Sequence, residues 1–397
     1  MPADARSEGR GDRARRWPRK LAIAGGILAV LVGAGLLGWQ LLMAHFIAQY
    51  YRDTYAPMEL ADVPASTPAR HHLNDVPWYS TRETYCAANS LQMIAAQNGM
   101  AVSRDEVSFL MGFSYGAATY QQATGLALNP FTDPEAGHAV AAPYLGLLRR
   151  YYVTADEKLY LRALRHYLSQ GYALRLPLDY AVLHGLTGFV PHSDVLVGYD
   201  ESGFYYYETV CLEGVPCQPG ERPPGEAGLY VSDQVLVRAV GSQAAAFRYP
   251  WRYAFTLFEP GPAATDLKPI WARNGASLAG GARYGPRQGA DAVEALAADL
   301  SKRGAKADLA GLRFGLESAA YTRRDDAAFL RRRFADDAGI VASADALERA
   351  AAAYEAALVT VKDGPIGPGT AARAAGLLRE AASAEREAGR ILLQRGI

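Results

Sequence analysis

Three cysteines and seven histidines are the residues of this chain best able to do nucleophilic chemistry. Cys86 stands out by its setting, residues 76–99, VPWYSTRETYCAANSLQMIAAQNG. An extended aromatic lead-in (residues 76–79) and a polar turn (residues 80–84) precede it. Ala87, Ala88, Leu91, Ile94 and Ala95 then recur at helical spacing, and Gly99 stands where a left-handed cap would end the helix. Cys86 is therefore expected at a helix N-terminus, where unpaired N–H groups and the helix dipole favour a thiolate. That is a setting for a nucleophile, whereas most lone cysteines are buried and inert. Cys211 and Cys217 flank a short loop with a Gly and a Pro and could close a disulfide, leaving Cys86 as the odd thiol. The alternative is that all three are reduced and structural. No CxxC or HxxxH spacing points to zinc, and neither a metal nor a cofactor is expected.

A thiol nucleophile needs an imidazole base, and the base needs an orienting acceptor. His45 lies at the end of an apolar run, His71 and His72 in a tether, His166 inside a helix, and His138 and His184 in loops. His192 alone opens a strand that leads into a hairpin. Two acids compete to orient it. Glu208 lies sixteen residues on, on the other arm of the hairpin, where antiparallel pairing could bring it across; a one-residue slip in register would take it away. Asp194 shares a strand face with His192. Asp200, in the turn 200–203, reads as a turn former.

The elements that must position these residues follow from periodicity and capping. Ser103 with Glu106, and Thr154 with Glu157, read as capping boxes opening two helices. Residues 119–140 read as loop-rich and 141–150 as a helix. Residues 172–178, 191–199 and 204–210 read as strands, 232–240 as a helix and 253–259 as a last strand. A helix followed by an antiparallel sheet predicts an α+β domain. From residue 265 strand signals vanish, and 291–303, 325–337, 344–361 and 370–394 read as helices. Arg331, Arg332 and Arg333 read as a solvated helix face.

The 41 basic and 41 acidic residues cancel, which argues against a nucleic-acid partner. Residues 1–20 are Arg-rich, and from Leu21 to Trp39 the chain carries no charge. A spanning helix needs roughly 20 apolar residues, and the basic flank places the N-terminus in the cytoplasm and the remainder outside. A cleaved signal peptide is the rival, but the run is long and no small-x-small site follows it. The expected organisation is a basic tail (1–20), a transmembrane helix (21–44), a tether (45–74), the α+β domain (75–262) and an all-helical C-terminal domain (263–397). Oligomeric state is not legible.

The Cys86 segment, together with HSDVLVGYDESGFYYYET (residues 192–209), resembles the nucleophile segment and histidine hairpin of papain-like, bacteriocin-processing (double-glycine leader) cysteine peptidases. The resemblance covers roughly residues 75–260. It implies a papain-like fold with Cys86 as nucleophile, His192 as base and Glu208 in the place of the family's Asp, acting on a peptide or amide. Three positions depart from the family pattern. Ala87 follows the cysteine in place of Gly, Glu208 replaces Asp, and the Gln that lines the oxyanion hole is absent, with Ser80 and Thr81 in its place. GFSYGAATYQ (residues 112–121) and RRDDAAFLRRRFADDAG (residues 323–339) also resemble the butirosin biosynthesis protein H group, in which a papain-like domain carries a helical C-terminal domain. That resemblance implies acyl transfer from a carrier-protein thioester to an amine, on an anchor that would keep the domain away from cytoplasmic carrier proteins. A non-catalytic binding module on the same fold is the third reading.

Overall fold

The N-terminal apolar run forms one continuous helix, α1 (Gly11–Tyr55), in a computed structural model that describes residues 11–64, 66–113, 128–211, 227–282, 287–303, 309–362 and 366–397. Within it, Val30–Tyr55 holds an 18-residue window of mean hydropathy 1.7, long and apolar enough to cross a membrane. α1 and residues 248–250 make one unit, in which the Tyr249 ring meets Tyr51 and Tyr55 at 4.6 and 5.8 Å between centroids.

The second unit comprises residues 57–247 and 251–397. It begins with β1 (Met58–Glu59) and β2 (His71–His72), so residues expected to form a tether supply two strands. Then come α2 (Cys86–Gln97), α3 (Arg104–Met111), α4 (Pro134–Ala141), β3 (Leu147–Thr154), α5 (Glu157–Ser169), β4 (Leu174–Asp179) and the single turn α6 (Tyr180–Leu183). β5 (Pro191–Tyr199), β6 (Gly203–Tyr207), β7 (Leu229–Ser232), α7 (Asp233–Phe247) and β8 (Tyr253–Pro260) complete the sheet region. α8 (Lys268–Ala279), the short pair β9 (Gly281–Ala282) and β10 (Arg287–Gln288), and α9 (Gly289–Arg303), α10 (Leu309–Arg333), α11 (Ala338–Val361) and α12 (Pro368–Arg395) follow. The result is α+β, with a mixed sheet and a helical C-terminal region.

Among the described residues the sheet runs β1-β3-β8-β4-β5-β6-β7, with β2 pairing the end of β5. Only the β1–β3 pairing is parallel there; the other pairings are antiparallel. Every residue of β4, and every residue of β5 after Pro191, is buried, the pattern of strands covered on both faces. At Gly198 an added Cβ would stand 2.8 Å from the His71 carbonyl oxygen, so glycine is what lets β2 approach β5.

Several local expectations change. Residues 141–150 are not a helix: Ala142–Leu145 is a 3-10 turn and Leu147 opens a strand. The helix expected from the Thr154 box is capped by Asp156, which accepts from the N–H groups of Lys158 and Leu159, while Thr154 accepts from Asp156. Ser103 is the N-cap of α3 without a side-chain cap bond; its hydroxyl instead accepts from Arg332. Arg332 also pairs with Asp105, and Arg331 with Asp345 and Glu348, so this run ties α10 to its neighbours. Strand structure does not end at 265, since β9 pairs β10. Of GFSYGAATYQ, only Gly112 and Phe113 lie among the described residues.

The core does not stop at the expected 262/263 division. Phe109 of α3 meets Trp271 of α8 and Phe329 of α10, each at 5.1 Å between ring centroids, and these rings share one buried cluster with the sheet. Fully burying such a side chain stabilises by about 1.5–3 kcal/mol, so the interlock is substantial. A second buried cluster lies among α9 to α12.

Candidate active site

Cys86 is the first residue of α2 and is buried. Tyr85, the N-cap, makes no side-chain cap bond, so the first-turn N–H groups keep the anion-binding capacity of a helix start. Gly99 turns the chain out of the helix with φ +79°, and Ala87, Ala88, Leu91, Ile94 and Ala95 all face the core.

A buried polar brace holds this first turn. The Ala87 carbonyl accepts from His138 Nε2 at 2.8 Å and from the Ser90 hydroxyl at 2.9 Å. Ser90 in turn receives from Ser193 at 3.0 Å, and Ser193 from Arg175 Nε at 2.7 Å. Arg175 is paired with Glu135, which also binds Arg149 at 3.0 Å. Burial would raise the Glu135 pKa, but the two guanidinium charges hold it at about 2. Burial, then the Arg175 charge, push His138 down to about 3. Its ring is therefore neutral, with the proton on Nε2, since a carbonyl only accepts. His138 is thus a brace for the cysteine helix.

His192 reaches the same place from β5. Its Nε2 bonds Glu208 Oε1 at 2.6 Å, with Asp194 Oδ1 at 3.1 Å. Both acids expected to compete for it are present, Glu208 closer. Burial disfavours the imidazolium, but Asp194 and Glu208 together raise the His192 pKa well above its usual value, and the neighbouring Cys86 side chain adds to this. The carboxylates take Nε2, so Nδ1 is the ring nitrogen they leave open. Cys86, His192 and Glu208 are therefore brought together.

Register explains the meeting. Near the turn, Tyr199 pairs with Phe204 and Gly198 with Tyr205; beyond a bulge, Leu196 pairs with Tyr206 and Val195 with Tyr207. The extra residue of the bulge is Val197. One step further, Asp194 comes opposite Glu208, and cross-strand partners share a face. Without the bulge Glu208 would fall opposite Val195, on the far side of the strand from His192.

Glu208 is the better supported acid. Its Oε1 also accepts from the N–H groups of Thr209 (3.0 Å) and Val210 (3.2 Å), and its Oε2 bonds His184 Nε2 at 2.9 Å. Burial works against its charge, but His192 and the bonds from both histidines hold its pKa at about 2. Asp194 has Thr209 N–H on Oδ1 at 3.2 Å, while its buried Oδ2 has no hydrogen-bond partner among the described residues. Burial and the neighbouring Glu208 charge raise its pKa to about 6, against the pull of His192. His184 is the site residue that sequence reasoning passed over. It follows a one-turn helix, and nothing local marks its pairing with Glu208.

His192, Asp194 and Glu208 offer one ligand atom each within 4.8 Å of one another, a spacing that could hold a metal ion. Two backbone N–H groups already point at Glu208 Oε1, and a cation there would meet their positive ends. The donor set fits a hydrogen-bonded imidazolium better.

Neither Ser80 nor Thr81, which stand where the papain-like resemblance expects a Gln, has a free hydroxyl proton. Cys211 is disulfide-bonded, so Ser80 must donate to its sulfur at 3.0 Å. Thr81 donates to the Glu83 carbonyl, and Asn89 spends its amide on Thr81 and on the Thr209 carbonyl. Donors for an oxyanion are thus to be sought in the first-turn N–H groups of α2. Cys86 is the free cysteine among the described residues; Cys217, the partner expected for Cys211, lies outside them.

No protein-family model matches the chain, and no curated protein matches it.

Proposed function

We propose that this protein is a membrane-anchored thiol hydrolase with a papain-like fold, acting on a peptide or amide through an acyl-enzyme on Cys86. The observation that carries the reading is a free cysteine at the start of a helix, beside a histidine that has one ring nitrogen held by a buried carboxylate. In the reaction the Cys86 sulfur attacks the substrate carbonyl, and its proton passes to His192. The first-turn N–H groups receive the developing oxyanion. His192 returns the proton to the leaving group, then takes one from water as water attacks the thioester and frees the sulfur. Glu208 fixes the ring tautomer and balances the imidazolium.

The basic flank of α1 supports a cytoplasmic N-terminus and an extracytoplasmic site. A disulfide at Cys211 fits that compartment.

The test is acylation by an activated nitrophenyl ester, read as a burst of nitrophenol with the acyl group mapped to Cys86. The expected result is a burst in the wild-type protein and none in Cys86→Ala or His192→Ala. Discharge that an added amine accelerates would favour the acyltransferase reading, related to the butirosin biosynthesis protein H resemblance. Absence of any Cys86 acylation would favour the binding module.

A further inference from the structure

We infer that His184 is a positioning residue of this site, holding Glu208 so that its other oxygen meets His192. The inference rests on the thiol–imidazole reading above and adds a fourth member to it.

A carboxylate bonded through one oxygen can still rotate about its last torsion. Glu208 is 1% exposed, so an unpartnered Oε2 would be costly. His184 removes both problems. Its Nε2 lies 2.9 Å from Oε2, and a carboxylate only accepts, so this nitrogen carries the proton. With Oε2 pinned, Oε1 is directed at His192 Nε2 and the two backbone N–H groups.

His184 is itself firmly placed. Its N–H closes α6 on the Tyr180 carbonyl at 3.0 Å. Asp179 anchors the start of α6, accepting from Ala181 and Val190 N–H groups on Oδ1 and from the Ser242 hydroxyl on Oδ2. The His184 ring lies 4.2 Å from the Tyr180 ring, and Tyr180 meets His192 edge-on at 4.9 Å and 78°. Tyr180 therefore sits between the two histidines that bond the one carboxylate. Gly185, at φ +67°, lets the chain leave immediately after the ring is set.

The experiment is alkylation of Cys86 by iodoacetamide across pH in the full-length protein, read by peptide mass spectrometry. A reactive limb well below the ordinary thiol midpoint of about 8.5 is expected in the wild-type protein and is lost in His192→Ala. His184→Phe keeps the ring against Tyr180 and removes the donor; it should move the midpoint up by about one unit, about tenfold slower on the acidic limb. His184→Gln, which can still donate to Oε2, should restore the wild-type profile. If His184→Phe does not fold, His184→Asn, too short to reach Oε2, replaces it with the same expectation. A donorless variant that superimposes on the wild-type curve overturns the positioning role, as does a Gln variant displaced as far as the donorless one. A wild-type curve without the acidic limb removes the base assignment, and this inference with it.

Discussion

Glu208 and Asp194 meet the same nitrogen of His192 with unequal support. Glu208 collects N–H donors on both oxygens, while Asp194 keeps a buried oxygen without a partner among the described residues. The first should stay ionised, and the second should be the one that takes up a proton. In serine-protease triads, losing the nucleophile or base costs about 10⁶ in rate and losing the orienting acid about 10⁴. Cys86→Ala and His192→Ala should accordingly abolish acylation, with Glu208→Gln leaving a measurable rate and Asp194→Asn a larger one, as read by the ester burst. Asp194 also bears on stability. Its folded pKa of about 6 lies above the ordinary carboxylate value, so the native state binds this proton more tightly than the unfolded chain does. The stabilisation is full below the usual carboxylate range and is lost as pH rises through about 6. Asn imitates the protonated acid, so Asp194→Asn should raise the melting temperature at pH 8, by an amount corresponding to about 1–3 kcal/mol, and have little effect at pH 4. Thermal melts at the two pH values decide it; equal shifts at both would mean that Asp194 is not the proton acceptor.

At the scale of elements, the cysteine helix and the histidine hairpin were legible because their signals are local. Helical spacing of small apolar residues sets α2, and the turn at residues 200–203 sets the hairpin; Asp200 accepts there from the N–H groups of Ser202 and Gly203. What decided the acid was not local. The bulge at Val197 has no composition cue, since Val195, Leu196 and Val197 would all suit a regular strand. β3 reads poorly for a related reason: its residues come in like pairs, Leu-Leu, Arg-Arg and Tyr-Tyr, and pairing with β8 and β1 settles the backbone. The Glu135–Arg175 brace was invisible because its members lie in different elements. It yields a prediction of its own. Glu135→Gln leaves Arg175, 1% exposed, without its charge partner, which typically costs about 3–5 kcal/mol. Urea unfolding should show that loss, and Arg175→Lys, which cannot reproduce the forked bonds to Ser193 and Glu135, should also be destabilised. A change within 0.5 kcal/mol, the usual range for surface substitutions, would mean that the brace adds nothing.

Across the whole second unit, the helical C-terminal region reaches back to the residues just before Cys86. The Tyr321 hydroxyl accepts from the Thr84 N–H at 2.9 Å, and the Tyr85 hydroxyl donates to Asp325 at 2.9 Å. Arg104 bonds the same Asp325 oxygen at 2.8 Å and lies over the Tyr85 ring. Tyr321→Phe should therefore slow Cys86 acylation several-fold while the thermal midpoint moves little, and a double variant with Asp325→Asn should slow it further. Acylation rates indistinguishable from wild type would reduce this contact to packing. For α1, a reporter fused at the C-terminus should be active only outside the cytoplasm; cytoplasmic activity would reverse the proposed orientation. The reach of α10 also has a consequence for timing. Thr84 and Tyr321 are 237 positions apart, so synthesis delivers the sulfur long before the residues that set its helix start. A nascent or truncated chain carries a cysteine without its final frame. On the proposed reading, the thiol gains its full helix-start geometry only after α10 has been made.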